Sequence, residues 1–265
     1  STLSFAWLWY QLPYGVIGVA LSTTLFTEMS AASAAGDWQS FKVNVSRGLR
    51  TTIFLITPLA LLLFALSHQL AGLYHAGQFN YQDVIDVANV LGVWCFALPF
   101  YAGYMYLYRA FSSLRDLSLF IRIDAVGRVF QALLYGFFTT GFGLWDGIGL
   151  IGIPVADIII YSLLFMVMNR VLQGQIGSFG LEIILRDGAK ILAASALAVV
   201  FPTIIARSGF NDSIVVSLIV IVFCGSIGLG LYYLTCRMFK IPEVKVVNDL
   251  IVKIARRLRR SAKGR

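Results

Sequence analysis

Charge is scarce in this chain. Of its 265 residues, 13% are Asp, Glu, Lys or Arg, where a soluble domain carries about 25%. Hydrophobic residues make up 58%, and the mean hydropathy is +0.81. A surface built from so few polar groups stays apolar after one soluble core is filled, which excludes a soluble enzyme and a disordered chain. Cysteine is nearly absent: Cys95, Cys224 and Cys236 sit apart in apolar runs. That excludes a disulfide scaffold and any CxxC metal spacing. The two histidines, His68 and His75, have no Cys or His partner at ligand spacing. There is no P-loop, GxSxG or HExxH, and no cofactor or metal is expected. A membrane transferase usually needs paired acids or an Asp-rich metal motif on a loop. Asp83 and Asp86 stand isolated, so the chain is not expected to be an enzyme.

What is present in quantity is apolar length. Seven runs, near 3–27, 51–72, 87–108, 120–142, 147–169, 188–206 and 213–236, are long enough to cross about 30 Å of hydrocarbon as helices. The fold class expected is an all-α integral membrane bundle of about seven transmembrane helices. Basic residues fall on alternate connections. Stretch 28–50 has Lys42, Arg47 and Arg50; the third connection, with the start of the fourth run, has Arg109, Arg115, Arg122 and Arg128. Stretch 170–190 has Arg170, Arg186 and Lys190, and ten more follow from Arg237 onward. The opposite side has Arg207 alone. The positive side is cytoplasmic, which puts the N-terminus outside and the C-terminus inside. The chain opens without Met, almost directly in a span and with no leader, so it is expected to be the C-terminal part of a longer transporter.

The formal net charge of +8 raises the question of nucleic acid. The tail answers it. Val247, Leu250, Ile251, Ile254 and Leu258 share one helix face, and Lys253, Arg256, Arg257, Arg259 and Arg260 lie on the other. With no aromatics between the basic residues, this pattern points to anionic inner-leaflet lipids rather than RNA.

Polar residues inside apolar runs are the candidate functional residues, because they are costly there unless partnered or facing a cavity. Asp124 and Arg128 are i, i+4 neighbours in the fourth run, with Arg122 nearby. Either they close on each other or the arginines line a cavity for an anionic headgroup. Asp157 sits in the fifth run near Pro154 and is an ion, proton or structural hydrogen-bond site. In the first run, Pro13 with Gly15 and Gly18 forms a candidate conformational hinge, with Gln11 just before the proline.

The stretch Gln11-Leu12-Pro13-Tyr14-Gly15-Val16-Ile17-Gly18-Val19-Ala20-Leu21-Ser22-Thr23 resembles the signature helix of the MurJ/MviN family, bacterial lipid II flippases. Leu73–Phe79 resembles that family's outer-loop motif, and Tyr108–Asp116 its cytoplasmic turn. The resemblance implies the eighth to fourteenth helices of a fourteen-helix protein: residues 1–172 as the second lobe, 173–240 as the two last helices beside a lipid-tail groove, and 241–265 as a cytoplasmic tail. It implies a polyprenyl-pyrophosphate-linked glycan, lipid II, as cargo, moved from inner to outer leaflet by alternating access in the bacterial plasma membrane. The missing N-terminal half would be a partner. The resemblance is incomplete. The family's A-D-R-x-x-E run is here Ala6-Trp7-Leu8-Trp9-Tyr10-Gln11. Where some members hold sodium with an Asn and an acid, Gln131 and Tyr135 stand. Another polyprenyl-linked glycan, or a scaffold without transport, also fits these departures.

Overall fold

The computed structural model describes residues 2–76, 81–114, 117–208 and 214–249. The motif residues Gly77, Gln78, Phe79, Arg115 and Asp116 and the tail from Leu250 lie outside these ranges. Among the described residues all regular structure is helical. The order is α1 Thr2–Pro13, α2 Val19–Ala34, α3 Trp38–Ala65, α4 Ser67–Gly72, α5 Tyr81–Trp94, α6 Leu98–Ser113, α7 Ser118–Thr140, α8 Gly152–Ile176, α9 Leu181–Ser208 and α10 Ile214–Met238. Helix satisfies each backbone N–H and C=O within its own segment, which is the requirement hydrocarbon imposes.

Among the described residues five helical stretches are long and apolar enough to cross a membrane: Trp38–Ala65, Tyr81–Ser113, Gly149–Ile176, Leu181–Ala206 and Ile214–Met238. The other expected runs are helical too. Run 3–27 is divided between α1, a π-helical turn at Tyr14–Gly18 and α2. Run 120–142 corresponds to α7, whose Arg122, Asp124, Arg128 and Gln131 make it less apolar. The helices also extend into the basic connections. Helix α3 begins at Trp38, capped by Asp37, whose Oδ1 accepts from the Ser40 N–H at 3.0 Å. The Ser40 hydroxyl, together with this backbone N–H, holds the Asp37 carboxyl below its usual range.

Helix α3 is the hub, packed on α2, α6 and α9, while α10 lies along α9 and α7 packs chiefly on α8. Membrane helices associate through close packing and hydrogen bonds rather than through exclusion from lipid, so small residues at crossings carry much of the stability. Gly48 of α3 is such a point. Tyr106 of α6 crosses it, donating its hydroxyl to Asn44 O at 3.0 Å, and a Cβ at Gly48 would overlap that hydroxyl. Gly48→Ala is therefore expected to destabilise the fold by about 2 kcal/mol. Gly15→Ala, where the space is open, should leave stability unchanged or slightly raised. Thermal unfolding of the two variants in one detergent makes the comparison.

Candidate functional site

Helix α7 carries Asp124, Arg128, Gln131 and Tyr135. Their spacing of i, i+4, i+7 and i+11 places them on one face, over about 16 Å of helix. Asp157 and Tyr161 project from α8, Trp94 from the end of α5 and Tyr104 from α6. These side chains form one continuous network.

Asp157 is its buried end, 1% exposed. Its Oδ2 accepts from Trp94 Nε1 at 2.6 Å. Its Oδ1 accepts from Gln131 Nε2 and from the Tyr135 hydroxyl, both at 2.6 Å. Three neutral donors thus satisfy both oxygens of this buried carboxyl group. Gln131 and Tyr135 of α7 are thus both bonded to an acid that α8 carries. Trp94 is itself held by aromatic packing, stacking on Tyr10 at 5.4 Å between ring centroids, and Tyr161, which accepts from Arg128, meets Tyr101 edge-on at 5.1 Å.

Arg128 is the other end, with its side chain 41% exposed. Its Nη1 donates to Gln131 Oε1 at 2.8 Å and to the Tyr161 hydroxyl at 3.4 Å. Its Nη2 donates to the Tyr104 hydroxyl at 3.3 Å and pairs with Asp124 Oδ1 at 3.1 Å. The guanidinium also lies 5.8 Å from the Tyr104 ring centroid and 5.6 Å from that of Tyr161. The Tyr104 hydroxyl in turn donates to Asp124. Asp124 and Arg128 therefore do close on each other, yet the guanidinium stays open on one side. Arg122 is exposed and takes no part in the network.

The expected hinge residues lie elsewhere, between α1 and α2. Pro13 is buried and keeps helical angles, φ −61° and ψ −42°. Proline cannot donate a backbone hydrogen bond, and the helix here widens into the π-helical turn, where Val19 N–H reaches Tyr14 O. Gly18 lets the Tyr14 ring lie flat against the helix, since a Cβ there would overlap it. Tyr14 then meets Tyr101 at 5.1 Å. Gln11 and Gly15 are exposed.

Beside this turn runs an apolar groove of about 270 Å³. Leu12 and Val16 form one wall, Leu59 and Leu63 of α3 its floor, and Ile221 and Leu229 of α10 the other wall. A larger cavity, about 720 Å³ between α3–α5 and α9, contains none of the expected residues. Among the described residues no group of three or more His, Cys, Asp or Glu could hold a metal ion.

Sequence reasoning missed Trp94, Tyr104 and Tyr161. The signal within reach was the polar stripe on α7: extending Asp124 and Arg128 by further helical turns brings in Gln131 and Tyr135.

Residues 1–224 match the family model described as lipid II flippase MurJ. A probable lipid II flippase MurJ of Buchnera aphidicola subsp. Schizaphis graminum is 30% identical over 127 residues, 46% of this chain and 25% of that protein. One from Synechocystis sp. is 22% identical over 253 residues, 93% of this chain and 46% of the relative. A solved structure, lipid II flippase MurJ in an inward closed conformation, superposes with a TM-score of 0.65 at 23% identity, over 94% of this chain and 48% of that one. This likeness shows the fold, and the chain spans less than half the length of these proteins.

Proposed function

The chain belongs to the lipid II flippase MurJ family, and from that premise we propose that it forms the C-terminal part of a transporter that carries lipid II from the inner to the outer leaflet of the bacterial plasma membrane. The family match over residues 1–224 is the observation that carries this reading. In it, residues 1–172 act as the second lobe, 173–240 as the two helices beside the tail groove, and 241–265 as a tail lying on anionic inner-leaflet lipids. The N-terminus faces outward, and a further half, bearing most of the cavity cations, completes the cavity.

Magnitudes say where such a protein must act. A lipid tail gains little by leaving lipid for an apolar groove, because the two are alike. A charged group at the bilayer centre costs about 3 to 10 kcal/mol or more. The polar face therefore lowers the barrier, and the groove only guides the tail. Arg128 is open on one side and can exchange Asp124 for a pyrophosphate oxygen, a charge-assisted contact suited to a guanidinium. Asp157 and its donors hold α5, α7 and α8 in register so that Arg128 is presented. The π-helical turn between Pro13 and Gly18 lets α1 and α2 shift between inward-open and outward-open states, with Gln11 on the exposed surface met by cargo.

A different headgroup has one specific observation in its favour. Leu8 and Gln11, both exposed, stand where many family members carry Arg and Glu, so a polyprenyl-linked glycan with another sugar is the second reading.

The groove is tested with a photoreactive polyprenyl phosphate. Gly225 borders the groove, and a Cβ there meets open space, so Gly225→Phe fills it without disturbing the fold. Labelling of α10 and α3 peptides in the full-length protein should fall at least about tenfold in this variant. Equal labelling would remove the groove from the tail's route.

A further inference from the structure

Beyond α10 the chain turns back. The Ile241 N–H donates to Cys236 O at 3.0 Å, and Ile241 and Val244 are 4% and 7% exposed. They join Phe54 of α3, Ile191, Ala194 and Ala198 of α9, and Tyr232 and Cys236 of α10 in a small apolar cluster apart from the main core. The Tyr232 hydroxyl donates to Phe54 O at 2.7 Å. Three helices and the returning segment thus meet at one point.

This segment carries a charge inward. Glu243 is 7% exposed; one of its oxygens lies 3.5 Å from Arg50 Nε, and the other is buried with no hydrogen-bond partner among the described residues. Arg50 is shared, its Nη1 lying 3.7 Å from Asp187 Oδ2. Asp187 has a second cation, Lys190, at 3.7 Å, which Glu243 lacks among the described residues. The titratable groups described around Glu243 are Arg50 from α3, Asp187 and Lys190 from α9, and Tyr232 and Cys236 from α10. Two carboxylates facing one guanidinium leave an ionised Glu243 poorly compensated, whereas a neutral one escapes that cost.

We propose that Ile241–Asp249 is a charge-sensitive latch, closed over α3, α9 and α10 when Glu243 is neutral and ready to lift when Glu243 is ionised. Burial raises the Glu243 pKa above the usual carboxylate value; its backbone hydrogen bond and Arg50 pull it down and Asp187 pushes it up. A carboxyl with a raised pKa binds its proton more tightly in the closed form. Closure is then favoured below that pKa and weakened as the pH rises through it. Because α10 walls the apolar groove, the latch sets how firmly that wall is held; this consequence alone rests on the flippase reading.

Cys236, fully buried beneath the segment, reports the latch directly. The full chain in vesicles is treated with a maleimide at one fixed pH near neutrality, and labelling at Cys236 is read by peptide mass spectrometry. Glu243→Gln should label more slowly than wild type. Arg50→Gln, which strands an ionised Glu243, should label at least about tenfold faster. Arg50→Gln combined with Glu243→Gln should return to within about twofold of Glu243→Gln alone. Glu182→Gln, an exposed acid on α9, should match wild type. Faster labelling of Glu243→Gln overturns the latch, as does a double variant that labels as fast as Arg50→Gln. No lipid substrate enters this test, so its failure and that of the flippase reading are separate results.

Discussion

Asp157→Ala is expected to destabilise the bundle by about 2–3 kcal/mol, the cost of stranding hydrogen-bond donors in a buried site, reduced by those that find new partners. Trp94 Nε1 loses its carboxylate partner. Gln131 and Tyr135 keep their mutual bond of 2.8 Å, which moderates the loss. Asp157→Asn should act in the same direction with a smaller shift, because its amide retains one acceptor oxygen but turns an NH₂ toward a donor. Thermal unfolding in detergent, followed by tryptophan fluorescence, ranks wild type above Asn and Asn above Ala. An Ala variant as stable as wild type would mean that Asp157 does not hold α5, α7 and α8 together.

Arg128→Ala should have the largest effect on transport. A hydrogen bond from a charged group is worth about 1.5–3 kcal/mol, which is about 10- to 100-fold in rate when it is made in the transition state. The expected loss in the full-length protein is of that order, with Arg128→Lys intermediate, because an ammonium keeps the charge but not the fork of donors. Arg122→Ala should change the rate by less than about threefold, since an exposed, unengaged cation contributes little. Equal losses at the two positions would show that general positive charge, not the held guanidinium, meets the cargo. The readout is lipid II export in cells depleted of their own flippase.

Much of the helical layout was legible in the sequence, because only a helix can carry an apolar run of twenty or more residues through lipid. Run 87–108 lies within Tyr81–Ser113, while run 51–72 is shared between α3, which ends at Ala65, and α4, Ser67–Gly72. The helices run further than hydropathy implied, since amphipathic turns such as 38–50 continue the same backbone bonds outside hydrocarbon. At the site, Asp124 and Arg128 were legible as a pair because their spacing is local. Trp94, Tyr104 and Tyr161 were not: an aromatic in an apolar run reads as core or lipid contact until a tertiary neighbour supplies its polar partner. Arg50 and Glu243 are separated by about three-quarters of the chain, and no periodicity relates them. At Pro13 the sequence pointed to a hinge, and the helix there takes a π-helical turn with the Tyr14 ring lying over Gly18.

The most direct measurement is the appearance of lipid II in the outer leaflet of flippase-depleted cells that express the full-length protein containing this chain. Export should resume with the unmutated protein and fail with Arg128→Ala at equal membrane abundance. If the unmutated protein reaches the membrane and lipid II still accumulates on the inner side, the chain does not belong to a lipid II transporter, and another polyprenyl-linked glycan becomes the cargo to test.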